Sequence, residues 1–129
     1  MEGRFIDASV LVAAFVVDDG LHERALKELA LVPRPFLIHE YVALETATVL
    51  GMRYGKDIAD TFMEAVLHNA DFELVPSSVA FFRETAGVFI ENKKLSFTDA
   101  ALLALSSEYQ VVTFDEALGR AIKKGQRGR

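Results

Sequence analysis

The sequence of 129 residues contains no cysteine and no tryptophan, and it has only eight glycines and three prolines. The lack of cysteine excludes a disulfide framework, a thiolate nucleophile and a zinc site built on sulfur. The low glycine and proline content excludes collagen-like and low-complexity chains. Because 51% of the residues are hydrophobic, we expect a single folded domain over residues 1–129.

Long apolar runs are also absent. The longest unbroken run, Val10–Val17, is far shorter than the roughly 20 residues that a membrane span requires. The first residues do not carry the small-residue cleavage signal that is typical of secretory peptides. These features predict a cytoplasmic protein with no membrane association, and the lack of cysteine suits a reducing compartment.

The net charge of −5 is spread unevenly along the chain. A basic C-terminal tail over residues 120–129 carries +5, whereas residues 1–119 carry −10. Basic tails of this kind often contact nucleic acid, although a solubilising end has the same composition. An acidic body opposes the wrapping of a polyanion, unless a bound metal reverses the sign of the charge locally.

The hydrophobic pattern alternates between short strands and helices. It predicts strands at 3–6, 36–38, 72–75 and 111–114. It predicts helices over 9–17, 21–31, 41–54, 58–69, 78–92, 98–108 and 116–123. Gly55 is expected to end the third helix with a left-handed cap. The alternation favours a three-layer α/β/α fold with a short parallel sheet of four or five strands.

Four acidic residues fall at the same edge of this predicted sheet. In right-handed βαβ units every strand ends, and every following helix begins, at one edge, where open α/β proteins bind ligands. The residues expected there, called the four acids below, are Asp7, Glu45, Asp99 and Asp115.

Helix capping is an alternative role for three of the four acids. Asp7 can cap the first helix, and Ser96 with Asp99 fits a capping box. Thr113 with Glu116 fits a second box, which would leave Asp115 in the first turn of its helix. For each of these aspartates taken alone, the sequence favours capping.

Glu45 is harder to explain as a structural residue. Its neighbours three and four positions away are mostly apolar, and no lysine or arginine lies within one helical turn of it. A carboxylate on a core-facing stripe is rare unless it is paired or bound to a metal. We therefore interpret Glu45 as a functional residue.

The repulsion between grouped carboxylates indicates what such a site needs. Two carboxylates about 5 Å apart repel by roughly 3 kcal/mol at an effective dielectric constant near 20. A group of them must therefore hold protons or bind a cation. Oxygen ligands alone suit Mg²⁺ or Mn²⁺ better than zinc. A site of this kind is suited to the hydrolysis of a phosphodiester bond.

Four segments resemble the ordered motifs of PIN-domain ribonucleases, and length and motif order are most similar to the VapC toxins of toxin–antitoxin pairs. The segments are FIDAS at 5–9, LETATVL at 44–50, LSFTDA at 95–100 and VTFD at 112–115. Each motif is short, but four in this order are informative. The chain departs from many relatives after the last helix, because residues 124–129 are too polar for the final strand that those relatives carry. This departure leaves open whether the sheet has four strands or five.

The resemblance implies a metal-dependent ribonuclease that acts on RNA. The four acids, Asp7, Glu45, Asp99 and Asp115, would be catalytic and would ligate one or two Mg²⁺ or Mn²⁺ ions. Ser9 and Thr113 would be supporting hydroxyls. The family is also associated with homodimers and with a VapB-type antitoxin that blocks the site.

Two other functions stay open at this point. In a non-catalytic protein-interaction domain the acids would be helix caps only. A small-molecule phosphohydrolase with a nucleophilic aspartate would need a second acid at the position of Ser9.

Among the remaining residues, His39 is expected to be a packed or solvated histidine and Glu40 a helix-start charge. The stripe of Phe81, Phe82, Phe89 and Ile90 is expected to lie in the core, although ten phenylalanines in the chain also hint at a buried interface with a second copy or with an antitoxin.

Overall fold

The computed structural model describes residues 3–127, within which four strands and seven helices are found. The strands are β1 (Arg4–Ile6), β2 (Phe36–His39), β3 (Phe72–Val75) and β4 (Gln110–Val112). The helices are α1 (Ala8–Phe15), α2 (His22–Ala30), α3 (Glu40–Arg53), α4 (Lys56–His68), α5 (Val79–Glu91), α6 (Phe97–Leu105) and α7 (Glu116–Arg127).

The strands form one parallel sheet in the order β3-β2-β1-β4. Phe5 of β1 lies opposite Leu37 on one side and Val111 on the other. With helices on its faces, this sheet confirms the predicted three-layer α/β/α fold. Over residues 3–127 the sheet has four strands, and α7 continues to Arg127 where the sequence predicted that the helix would end at residue 123. The last two residues of the predicted basic tail lie outside the described residues.

The strand order creates a crevice at the carboxyl ends of β1 and β4. From β1 the chain moves outward to β2 and β3, and it then returns to the opposite side of β1 to form β4. In parallel sheets, ligands bind where the strand order reverses in this way. Ile6 pairs with Val112, and the amide of Asp7 donates to the carbonyl of Val112 at 2.9 Å. The residues that follow β1 and β4 are therefore neighbours.

Buried aliphatic and aromatic side chains from both sheet and helices hold the strand ends in place. Ile6 and Ile38 of the sheet are fully buried, together with Leu50 and Phe62 of the helices above them. Burial of each side chain of this size contributes about 1.5–3 kcal/mol to folding. The hydrophobic core therefore supports the edge of the sheet where the four acids lie.

Gly55 separates α3 from α4 with a φ of 109°, in the region that favours glycine. Its amide donates to the carbonyl of Leu50 at 3.0 Å. Its ψ of 164° is extended, and Gly55 is also the N-cap of α4. The predicted positive φ is therefore present, but the predicted left-handed helical conformation is not.

The aromatic stripe of α5 is divided between the interior and the surface. Phe81 packs against the rings of His39 and Tyr41. Phe82 is 51% exposed, Phe89 41% and Ile90 76%, so the prediction that these three residues lie in the core is wrong. Among residues 3–127, no helix combines the length and the hydropathy that a membrane crossing needs.

Candidate active site

Asp7 is the most deeply buried of the four acids, with 3% of its surface exposed. It follows β1 and is the N-cap of α1, because its Oδ1 accepts a hydrogen bond from the Ala8 amide at 2.7 Å. Its Oδ2 accepts two further bonds, from the hydroxyls of Ser9 at 2.8 Å and Thr113 at 2.7 Å. Capping and a site at the sheet edge are therefore compatible for this residue, and its carboxylate is fixed in orientation.

The hydroxyls of Ser9 and Thr113 connect the end of β1 with the end of β4. While donating to Asp7, Ser9 Oγ accepts from the Phe114 amide at 3.0 Å. Thr113 Oγ1 accepts from the Asp115 amide at 2.9 Å. The structure thus brings together the two hydroxyls and the aspartate that the sequence singled out.

Asp115 and Asp99 begin the two helices nearest to β4 in sequence. Asp115 Oδ1 accepts from the Leu118 amide at 2.8 Å, which makes Asp115 the cap of α7. The predicted box between Thr113 and Glu116 is wrong, because Thr113 Oγ1 accepts from the Asp115 amide rather than from the Glu116 amide, and Asp115 is the residue that caps the helix.

The predicted capping box at the start of α6 is present. Ser96 Oγ accepts from the Asp99 amide at 3.1 Å. In return, the Asp99 carboxyl accepts hydrogen bonds from Ser96. Ser96 therefore caps α6, and Asp99 completes the box while it lies among the four acids.

Glu45 lies on α3 and is partly buried. Burial is the largest cause that raises its pKa, and the charges of Asp7, Asp99 and Asp115 raise it further, to about 7. Within residues 3–127 its carboxylate accepts no hydrogen bond and forms no ion pair with a basic side chain. The four acids therefore act on one another without a protein cation between them.

The pKa of Asp99 is raised for the same reasons. Burial contributes most, the charges of Asp7 and Asp115 come next, and the hydrogen bonds from Ser96 oppose the rise. Two carboxyl groups that resist ionisation at one sheet edge indicate a site that lacks positive charge.

The chemistry of these donors fits a hard divalent cation. Carboxylate oxygens alone are ligands that suit Mg²⁺ or Mn²⁺. As the side chains stand in residues 3–127, no three His, Cys, Asp or Glu groups are close enough together to hold a metal ion. A bound cation would offset the repulsion between these carboxylates, and within the described residues no hydrogen bond holds the Glu45 carboxylate in place.

An apolar groove of about 370 Å³ lies beside Glu45, between α3 and α6. Its walls include Tyr41, Leu44 and Phe97, and the Phe97 ring also contacts Phe82 and Phe89. Sequence reasoning did not predict this groove. The sequence did contain a signal for it, because an aromatic residue precedes each of two acids. Tyr41 lies one helical turn before Glu45, and Phe97 lies two residues before Asp99.

His39 and Glu40 support the beginning of α3 rather than the carboxylates. His39 is buried, and its Nδ1 accepts from the Tyr41 amide at 3.1 Å. Burial lowers the pKa of His39, with Glu40 opposing, so the packed histidine expected from the sequence is found. Glu40 Oε1 accepts from the Ser77 amide at 2.6 Å and anchors the connection that leads to α5.

Comparison with known proteins assigns the chain to a family. Residues 4–124 match the model of the PIN domain, and no curated protein matches the chain. The crystal structure of VapC20 from Mycobacterium tuberculosis, described as a sarcin–ricin loop cleaving toxin, is similar over 92% of this chain and 95% of that chain. Its TM-score is 0.84 at 22% sequence identity, a likeness of fold. The resemblance predicted from four short motifs is therefore confirmed: the chain belongs to the PIN domain family.

Proposed function

We propose that this protein is a divalent-metal-dependent endoribonuclease that hydrolyses RNA phosphodiester bonds, and that it is the toxin of a VapBC-type pair. The observation that carries the proposal is the grouping of the four acids at one sheet edge, where burial first, and then the charges of Asp7, Asp99 and Asp115, raise the pKa of Glu45 to about 7. Membership of the PIN domain family supports the ribonuclease activity. The shared fold with VapC20, a sarcin–ricin loop cleaving toxin, supports the toxin assignment.

In this proposal Asp7, Glu45, Asp99 and Asp115 hold Mg²⁺ or Mn²⁺. When bound, such an ion orients phosphate oxygens, lowers the pKa of a nearby water and stabilises the leaving oxygen. The hydrogen bonds from Ser9 and Thr113 hold Asp7 in one orientation. With its pKa raised to about 7, the carboxyl of Glu45 would hold a proton near neutral pH in the metal-free protein.

The partners that we propose are an RNA substrate, a VapB-type antitoxin and a second copy of the chain, in the cytoplasm. Support for a protein partner comes from the exposed apolar side of α5, called the α5 face here. It consists of Val79, Phe82, Phe89 and Ile90, each between 41% and 76% exposed. Contiguous apolar patches on a protein surface mark interaction sites.

The α5 face also fits the alternative of a non-catalytic interaction domain. That alternative does not explain why Glu45 is partly buried beside three other acidic residues. A phosphohydrolase with a nucleophilic aspartate is disfavoured, because Ser9 occupies the position of the second acid and donates its hydroxyl to Asp7.

The test is RNA cleavage by the purified protein in Mn²⁺ or Mg²⁺, compared with Asp99→Asn. We expect the parent to cleave RNA, chelation to stop the reaction, and Asp99→Asn to abolish it while the thermal unfolding curve stays cooperative. Asp18→Asn is the matched control, because it removes the same charge from an exposed turn residue. Equal cleavage by Asp99→Asn and Asp18→Asn would refute the assignment of the site.

A further inference from the structure

Three basic side chains from two separate segments line one groove. Lys93 and Lys94 lie in the connection between α5 and α6, and Arg120 lies on α7. The groove, called the basic groove below, has a volume of about 290 Å³. Its lining contains one acidic residue, Glu91.

The basic groove begins at the elements that carry two of the four acids. One wall includes Leu95, which directly precedes the residue that caps α6, the helix of Asp99. The other wall includes Ala117, which lies two residues after Asp115 on α7. Arg120 is five residues beyond Asp115, roughly one and a half helical turns along α7.

The cations of the groove are available to a ligand. Within the described part of the chain, Lys93 and Lys94 are exposed and take part in no ion pair. Arg120 Nη1 lies 3.7 Å from Glu116 Oε2, with these side chains 73% and 89% exposed. Exposed pairs of this kind are weak, so Arg120 can exchange its partner for another anion.

We propose that the basic groove binds phosphates of the RNA strand on the Asp99 and Asp115 side of the scissile bond. This inference rests on the proposed ribonuclease function. Residues 1–119 carry −10, so a polyanion needs local positive charge to reach the carboxylates. The groove supplies that charge beside the place where the phosphodiester must lie. Lys93, Lys94 and Arg120 are therefore positioning residues, which act on RNA binding and not on the chemical step.

The experiment compares two double variants that remove the same charge from opposite ends of the molecule. Lys93→Gln/Lys94→Gln removes two cations of the basic groove. Arg53→Gln/Lys56→Gln is the matched control, because α3 ends and α4 begins at the edge of the sheet opposite the four acids. Cleavage of a labelled RNA oligonucleotide of mixed sequence in Mn²⁺ gives kcat and KM. Binding of the same RNA is measured in an Asp7→Asn background, where the strand stays intact.

For the groove variant we expect KM to rise about tenfold at low salt, with kcat within about twofold of the parent. The slope of log Kd against log salt should fall by about 0.7 for each RNA phosphate that the protein no longer neutralises, whereas the control should leave the slope unchanged. Equal effects of the two double variants would overturn the proposal and leave the ribonuclease function standing. A change in kcat alone would overturn it too. A parent that neither binds nor cleaves RNA in Mn²⁺ would instead overturn the ribonuclease function, and the groove proposal with it.

Discussion

Thr113 Oγ1 donates a hydrogen bond of 2.7 Å to Asp7 Oδ2, although the two residues are 106 positions apart in the chain. The bond closes the junction between β1 and β4, and the same hydroxyl accepts from the Asp115 amide. The Thr113 side chain thus fixes the position of the buried Asp7 carboxylate relative to Asp115, the residue that caps α7. Its removal should affect both stability and activity.

Thr113→Val keeps the shape of the side chain and removes its hydroxyl. The Asp7 carboxylate then loses one of its donors and the Asp115 amide loses its acceptor, which should lower the free energy of unfolding by about 1–3 kcal/mol. RNA cleavage should fall as well, because Asp7 is less firmly oriented. Urea unfolding and cleavage assays measure the two effects. Thr113→Ser, which restores the hydroxyl, should recover most of both, and a serine variant as impaired as the valine variant would contradict this role.

The raised pKa of Glu45 predicts how the stability of the metal-free protein depends on pH. The folded pKa of about 7 lies above the ordinary value of 4.5. The contribution of Glu45 to stability is therefore fully present below about pH 4.5 and is lost as the pH rises through about 7. Discounted for partial exposure, the loss should be roughly 1 to 3 kcal/mol. Thermal unfolding in a chelator between pH 5 and pH 8 measures it.

Glu45→Gln is the control for that titration. The neutral side chain cannot ionise, so the variant should be more stable than the parent at pH 8 and should show a flatter dependence on pH. Asp99, whose pKa is also raised, will contribute in the same direction. A variant with the same pH profile as the parent would show that Glu45 is not the titrating group.

Metal binding should reverse the instability that the carboxylates cause. Mn²⁺ binds the folded protein only, so the unfolding temperature should rise as the ratio of its concentration to the Kd increases. The rise should be largest near pH 8, where Glu45 is ionised, and Glu45→Gln should reduce it. Calorimetric titration with Mn²⁺ at pH 6 and pH 8 tests the affinity directly. Affinity that is the same at both values, or unchanged in Glu45→Gln, would rule out Glu45 as a ligand.

The sequence allowed the prediction of the layers and of the edge where the acids lie, because strand ends and helix starts are local signals. Asp7 follows an apolar strand, and Asp99 follows a capping serine three residues earlier. The error at Thr113 has a different origin. Thr113 and Glu116 have the spacing of a capping box, but the Thr113 hydroxyl donates to Asp7, which only the folded sheet brings near, and it accepts from the Asp115 amide. Asp115 then caps α7 in place of Thr113.

The α5 face shows a second limit of sequence reasoning. Phe82, Phe89 and Ile90 have the spacing of a helix stripe that packs into a core, and a stripe that packs on another protein has the same spacing. Periodicity reports that a face is apolar and does not report what covers it.

The end of α7 was missed because residues 124–127 are polar, so no apolar period indicates that the helix continues through them.

The exposure of the α5 face predicts the effect of a charge placed there. Ile90 is 76% exposed, so Ile90→Glu should leave the free energy of unfolding within about 0.5 kcal/mol of the parent. If α5 packs against a second copy, the same substitution buries a charge in the interface and should convert dimers into monomers. Sedimentation or light scattering across a range of protein concentrations measures the mass. Arg83→Gln, on the same helix and also exposed, changes the net charge by the same −1 and is the comparison for a change of charge alone. A dimer that survives Ile90→Glu would place the interface elsewhere, whereas a parent that is monomeric at every concentration would leave the α5 face to a different protein partner.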